Sequence, residues 1–173
     1  MTFRVASWVT LLGSPGVVIV LGFGVAALAW FRYGSRAWGL ACLAAPGIAG
    51  VGESTLKFLI ARPRPLTAAL TGEDGNGFPS GHAAGFCAFS CIVAFVLSNS
   101  LPINQPQQTG RRTLWAALAL ASTTVMALTR VLVGAHYPID VIAGVLVGFV
   151  AADLVALLAR SLDTTALSAG ATN

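Results

Sequence analysis

The chemistry in this sequence is concentrated in three short polar stretches. The richest is TRVLVGAHYPID, from Thr129 to Asp140, which sets an arginine, a histidine and an aspartate within twelve residues between two apolar runs. Arg130 is a permanent cation whose planar donor fork matches phosphate oxygens. His136 can attack an electrophile or carry a proton near neutral pH. Asp140 follows four residues later. With a helix starting near Tyr137 or Pro138 it lies about one turn away and can hold the other imidazole nitrogen. The simpler alternative is a polar loop and a helix start, with Pro138 in the first turn.

The second stretch is KFLIARPRP, Lys57 to Pro65. Lys57 falls near the end of an apolar helix and Arg64 lies past Pro63, so two cations are aimed at one surface. That suits a phosphate clamp, and equally suits interfacial snorkelling. The third is FPSGHAAG, Phe78 to Gly85. Pro79 and Gly81 shape a tight start to a helix. Ser80 can cap it, and the first amides of the helix point at any bound anion. His82 opens the helix facing the same polar pool. Glu73 and Asp74, in the turn EDGNG before it, read as solvating charges.

The elements that must hold these stretches are membrane helices. The chain has 173 residues, 56% hydrophobic and only 9% charged, with mean hydropathy +0.81. A soluble domain carries about a quarter charged residues. The length suits one domain. The net charge of +4 forms no basic patch of the kind nucleic acid requires. Cys42, Cys87 and Cys91 sit inside apolar runs without metal spacing and read as small buried residues. No P-loop is present, and the 19 glycines fit close helix packing.

Five apolar runs, at 7–31, 37–61, 83–101, 113–129 and 139–159, predict an all-α integral membrane bundle of about five spans, the fourth slightly short for a crossing. Pro15 and Gly16 interrupt the first run near its start. That run is read as a span and not as a cleaved leader, because cleavage would leave Arg32 and Arg36 outside. Glu53 and Lys57 form an i,i+4 pair inside the second. The tail from Arg160 reads as frayed. Alternation puts Arg32, Arg36, Arg111, Arg112 and Arg160 on one face, and the three polar stretches together on the other. The positive-inside tendency makes the first face cytoplasmic, with the N-terminus out and the C-terminus in.

Taken together, Lys57-x6-Arg64-Pro65, Pro79-Ser80-Gly81-His82 and Thr129-Arg130-x5-His136-x3-Asp140 resemble the pattern of the type 2 phosphatidic acid phosphatase (PAP2) family, K-x6-RP, PSGH and SR-x5-H-x3-D. Thr129 stands where that family usually has serine, and the hydroxyl is kept. The motifs span residues 57 to 140, about half the chain. The resemblance implies a membrane lipid phosphate phosphatase, and the charge distribution above puts its site on the outer face of the plasma (inner) membrane. His136 would attack phosphorus and form a phosphohistidine, Asp140 would orient it, and His82 would protonate the leaving oxygen and then activate water. Lys57, Arg64, Ser80, Gly81 and Arg130 would hold the phosphoryl oxygens. It implies no metal or other cofactor. The expected partners are the lipid phosphate and surrounding lipids, with room for a homo-oligomer and no nucleic acid. Candidate substrates are a polyprenyl diphosphate, phosphatidylglycerol phosphate, phosphatidic acid or a polyprenyl-linked sugar phosphate. Family members usually carry six spans, so this reading lacks the first. Three rivals are a non-hydrolytic binding or transport protein, a vanadate-dependent haloperoxidase-like enzyme, and the same phosphatase facing the cytoplasm.

Overall fold

Large apolar side chains cover much of the outside of this protein, while a few charged ones are buried inside it, the reverse of what a soluble domain shows. Phe31 is 86% exposed and Phe58 82%, while Arg130 is 1% exposed and Asp140 is fully buried. The computed structural model describes residues 3–99 and 108–170. Its helices are α1 (Phe3–Leu11), α2 (Pro15–Tyr33), α3 (Arg36–Ile60), α4 (Gly81–Asn99), α5 (Gln108–Leu132) and α6 (Pro138–Gly170), with a 3₁₀ turn at Leu66–Thr71. Five of them, α2 to α6, are long and apolar enough to cross a membrane.

Four boundaries differ from the sequence reading. The first span starts at Pro15, and Ser7 to Leu11 belong to the separate short helix α1. Pro15 opens α2 because a missing N–H costs nothing in a first turn. Ala6 of α1 is buried with Val133 and Ala135, so α1 lies against the turn that carries His136. The fourth span is not short, since α5 extends the apolar run at both ends to 25 residues. The tail is helical through Gly170 and not frayed from Arg160. Asp163 ties it down by accepting the Ser35 hydroxyl at 3.0 Å. The last two residues of the expected third span, 100 and 101, lie outside the described residues.

Helix α4 packs against α2, α3, α5 and α6. Small residues permit that approach: Ala84, Ala88 and Ala152 are fully buried. A Cβ on Gly144 would run into the carbonyl oxygen of Ser80, and one on Gly148 into that of Ala84. Helix α3 ends at Ala61, whose N–H caps back to the Lys57 carbonyl at 3.0 Å, ahead of Pro63. The connection then folds over the bundle end. Gly134 (φ +76) turns the chain between α5 and α6, and its carbonyl accepts the Thr67 hydroxyl at 2.8 Å. That bond docks the 3₁₀ turn onto the α5–α6 turn, so all three polar stretches meet.

Candidate active site

Lys57, Arg64, His82 and His136 line one cavity of about 790 Å³ at that end of the bundle, with Gly81 on its wall. Its other end is apolar, lined by Val18, Ile19, Phe23 and Leu43 of α2 and α3. A volume in this range suits part of an organic ligand.

His136 sits in the turn before α6 and is 3% exposed, so it is a buried side chain and not a surface one. Arg64 Nη1 lies 3.0 Å from its Nε2. A guanidinium can only donate, so Nε2 presents a lone pair and the ring proton is on Nδ1. Burial, reinforced by the charges of Arg64 and Arg130, pushes the His136 pKa down to about 3, against the pull of Glu73 and the Gly77 backbone. The resting imidazole is therefore neutral. The pattern suits a nucleophile, which needs its lone pair.

Asp140 is held by its own helix start. Its Oδ2 accepts the Tyr137 N–H at 2.8 Å, a capping-box contact, and its Oδ1 accepts Arg62 Nη1 at 3.1 Å. His136 Nδ1 is 3.7 Å from Oδ2, close enough for charge but beyond a hydrogen bond. Nδ1 is buried and has no hydrogen-bond partner. Arg62 also lies 4.9 Å from the centre of the Tyr137 ring.

Ser80 occupies the position before α4, but its fully buried hydroxyl makes no capping bond and has no partner. The backbone fixes it instead, its N–H donating to the Asp140 carbonyl at 2.9 Å. That contact joins the PSGH stretch to the His136–Asp140 stretch. Gly81 lies against Glu53, and a Cβ there would meet Glu53 Oε1 at 2.6 Å and make that carboxylate shift. Glu53 is 7% exposed and ion-pairs with Lys57. Thr129, also buried, returns its hydroxyl to Met126 O at 2.7 Å and turns away from the cavity.

Three residues of this site were not picked out by sequence reasoning. Thr10 of α1 accepts Arg130 Nη1 at 2.8 Å. Arg62 holds Asp140, as above. Glu73, expected as a solvating charge, sits inside the site. Its Oε2 accepts Arg64 Nη1 at 2.7 Å and its Oε1 accepts Arg130 Nη2. Burial works to raise its pKa, but the Arg130 hydrogen bond and the charges of Arg130 and Arg64 outweigh this and hold the carboxyl below its usual range. Its only sequence signal was an acidic residue between glycine turns and near two arginine motifs.

The class this defines is a membrane helical bundle that gathers two histidines with arginine and lysine at one end. The chain belongs to the PAP2 superfamily, whose profile matches residues 37–162. It is 26% identical over 149 residues to phosphatidylglycerophosphatase B of Bacillus subtilis (strain 168), covering 84% of this chain and 69% of that protein. The fold matches the crystal structure of a transmembrane PAP2-type phosphatidylglycerolphosphate phosphatase from Bacillus subtilis, with TM-score 0.78 and 25% identity over 94% of this chain and 77% of the other. Aquifex aeolicus LpxE shares the fold at TM-score 0.59, with 24% identity over 88% and 84% of the two chains.

Proposed function

We propose that this protein is a membrane phosphatase that removes a terminal phosphoryl group from a lipid through a phosphohistidine. One observation carries the reading: the His136 lone pair faces Arg64, and Arg64 and Arg130 converge on Glu73, which lines with His136 the polar end of a cavity that is apolar at its other end. A phosphoryl group seated there with its lipid chain toward α2 and α3 satisfies both ends.

In the first step His136 Nε2 attacks phosphorus and the bond to the leaving oxygen breaks. His82 delivers a proton to that oxygen. The ring becomes cationic, and Asp140 draws in on Nδ1–H to balance it. In the second step His82 takes a proton from water, the hydroxide attacks phosphorus, the N–P bond breaks and inorganic phosphate leaves. Arg64, Arg130, Lys57, the free Ser80 hydroxyl and the Gly81 amide stabilise the charge on the phosphoryl oxygens in both steps. Phosphatidylglycerol phosphate leads the substrate candidates, because the Bacillus relatives carry that activity in their names. Phosphatidic acid, polyprenyl diphosphates and polyprenyl phosphosugar phosphates follow. The arginine distribution supports a site on the outer face of the inner membrane.

The test is phosphate release from that panel of lipid phosphates in detergent, wild type beside His136→Ala, with vanadate binding as the check on folding. Wild type releases phosphate from one or more lipids, the variant from none, and EDTA has no effect. Vanadate binding without phosphate release from any lipid would make this a non-hydrolytic binding protein. Inhibition by EDTA that a metal reverses would reject the phosphohistidine route.

A further inference from the structure

Every cation assigned to the phosphoryl group already faces a carboxylate. Lys57 pairs with Glu53, and Arg64 and Arg130 pair with the two oxygens of Glu73. Glu73 Oε2 is also 4.0 Å from His136 Nε2, the attacking atom. Glu73 thus stands where the phosphoryl group must sit. Its segment is held on either side. Gly72 (φ +67) closes the 3₁₀ turn, Asn76 Nδ2 donates to the Lys57 carbonyl at 3.0 Å, and the Gly77 N–H donates to the Arg62 carbonyl at 2.7 Å. Its side chain is 24% exposed, so it has a way out.

We infer that Glu73 is a specificity-determining residue: a built-in anion that occupies the phosphate seat, yields to a terminal phosphoryl group and excludes a phosphodiester. The inference rests on the phosphatase reading for turnover, though not for binding. A carboxylate offers two oxygens and one charge. A terminal phosphoryl group offers three oxygens and about −1.5 to −2 charges near neutral pH. Its third oxygen can also take the Ser80 hydroxyl, buried and unpartnered in the resting site. A phosphodiester has two free oxygens and one charge, so it offers the arginines nothing Glu73 does not. Glu73 further competes as a tethered group, at an effective concentration on the order of millimolar. The lipid product of a monoesterase that still carries a diester headgroup would then be kept out by the same residue.

The experiment compares wild type with Glu73→Gln and Glu73→Ala in detergent. Three probes are titrated: inorganic phosphate, a lipid phosphomonoester and the diester lipid phosphatidylglycerol. Binding is read calorimetrically, and competition is read against turnover. If Glu73 fills the seat about 90% of the time, removing it tightens inorganic phosphate binding about tenfold. KM for the monoester falls with it, and phosphatidylglycerol becomes a measurable competitor. Free phosphate separates occupancy of the seat from effects on the lipid chain. Phosphate binding that is unchanged or weaker in both variants would overturn the inference, because Glu73 would then be holding the arginines in place for substrate. Unaltered exclusion of the diester would overturn it too. Glu73→Gln keeps the side-chain volume and carries the test if Glu73→Ala does not fold. If wild type binds phosphate but hydrolyses no lipid, the phosphatase reading fails while the binding titrations still decide Glu73.

Discussion

Asp140→Asn isolates the charge behind the nucleophile with almost no change of shape. The wild-type carboxylate is fully buried, 3.7 Å from His136 Nδ1. The asparagine oxygen can still accept the Tyr137 N–H, so the start of α6 is kept. What is lost is a negative charge beside a ring that must become cationic when Nε2 bonds to phosphorus. At 3.7 Å and an effective dielectric near 20 that charge is worth about 4 kcal/mol. Arg62, 3.1 Å from the other carboxylate oxygen, cancels part of it, leaving about 2 to 4 kcal/mol for the attack step. Since about 1.4 kcal/mol is tenfold in rate, kcat should fall roughly 30- to 1,000-fold. Ground-state binding should change little, because Asp140 does not touch the phosphoryl seat. The assay is steady-state phosphate release with a vanadate titration on the same preparation. A kcat within about threefold of wild type, with vanadate binding intact, would refute the role given to Asp140.

Three further outcomes follow from the same geometry. The folded pKa of His136 is lowered to about 3 by burial and by Arg64 and Arg130, against roughly 6.5 when unfolded. In that window the unfolded chain binds the proton and the native one does not, so stability is present above about pH 6.5 and is lost as pH falls, by about 1.4 kcal/mol per unit. Melting in detergent between pH 7 and 4.5 should drop more for wild type than for His136→Asn, and equal drops would reject the buried neutral imidazole. Thr10→Val removes the acceptor of Arg130 Nη1. It should weaken vanadate binding about five- to thirtyfold, for roughly 1 to 2 kcal/mol of misplaced or unsatisfied guanidinium, and an unchanged affinity would remove α1 from the site. Gly148→Ala sets a Cβ against Ala84 O and 2.8 Å from Cys87 Cβ, whereas Gly24→Ala meets nothing within 4 Å. The first should cost about 1 to 3 kcal/mol of stability and lower kcat by shifting α4. The second should lower neither, and matching melting temperatures would show that α4 and α6 are not that close.

The parts of this protein that were legible in its sequence are those that hydropathy and spacing report directly. Five crossings follow from five apolar runs. Lys57, Arg64, Ser80, Gly81, His82, Arg130, His136 and Asp140 follow from three motifs, and alternation alone brings those motifs to one end of the bundle. What stayed hidden depends on how the chain doubles back. The apolar run from Ser7 has the same composition whether it spans or lies across the bundle end, so Thr10 gave no sign that it meets a residue 120 positions away. Ser80 has the sequence of a helix cap, and nothing local says that its hydroxyl is left free. Glu73 reaches Arg130 across 57 residues because of the turns at Gly72 and Gly75.

These hidden residues share one physical task. Three cations close together repel, and Arg130 is almost wholly withdrawn from solvent; such a cluster persists only if anions sit among it. Glu53 and Glu73 supply two negative charges to Lys57, Arg64 and Arg130, and leave one positive charge in excess. A terminal phosphoryl group in place of Glu73 would carry more negative charge and offset that excess. The residues that stabilise the cation cluster therefore also set the electrostatic threshold a ligand must exceed, and a motif pattern that names only the cations cannot show where that threshold lies.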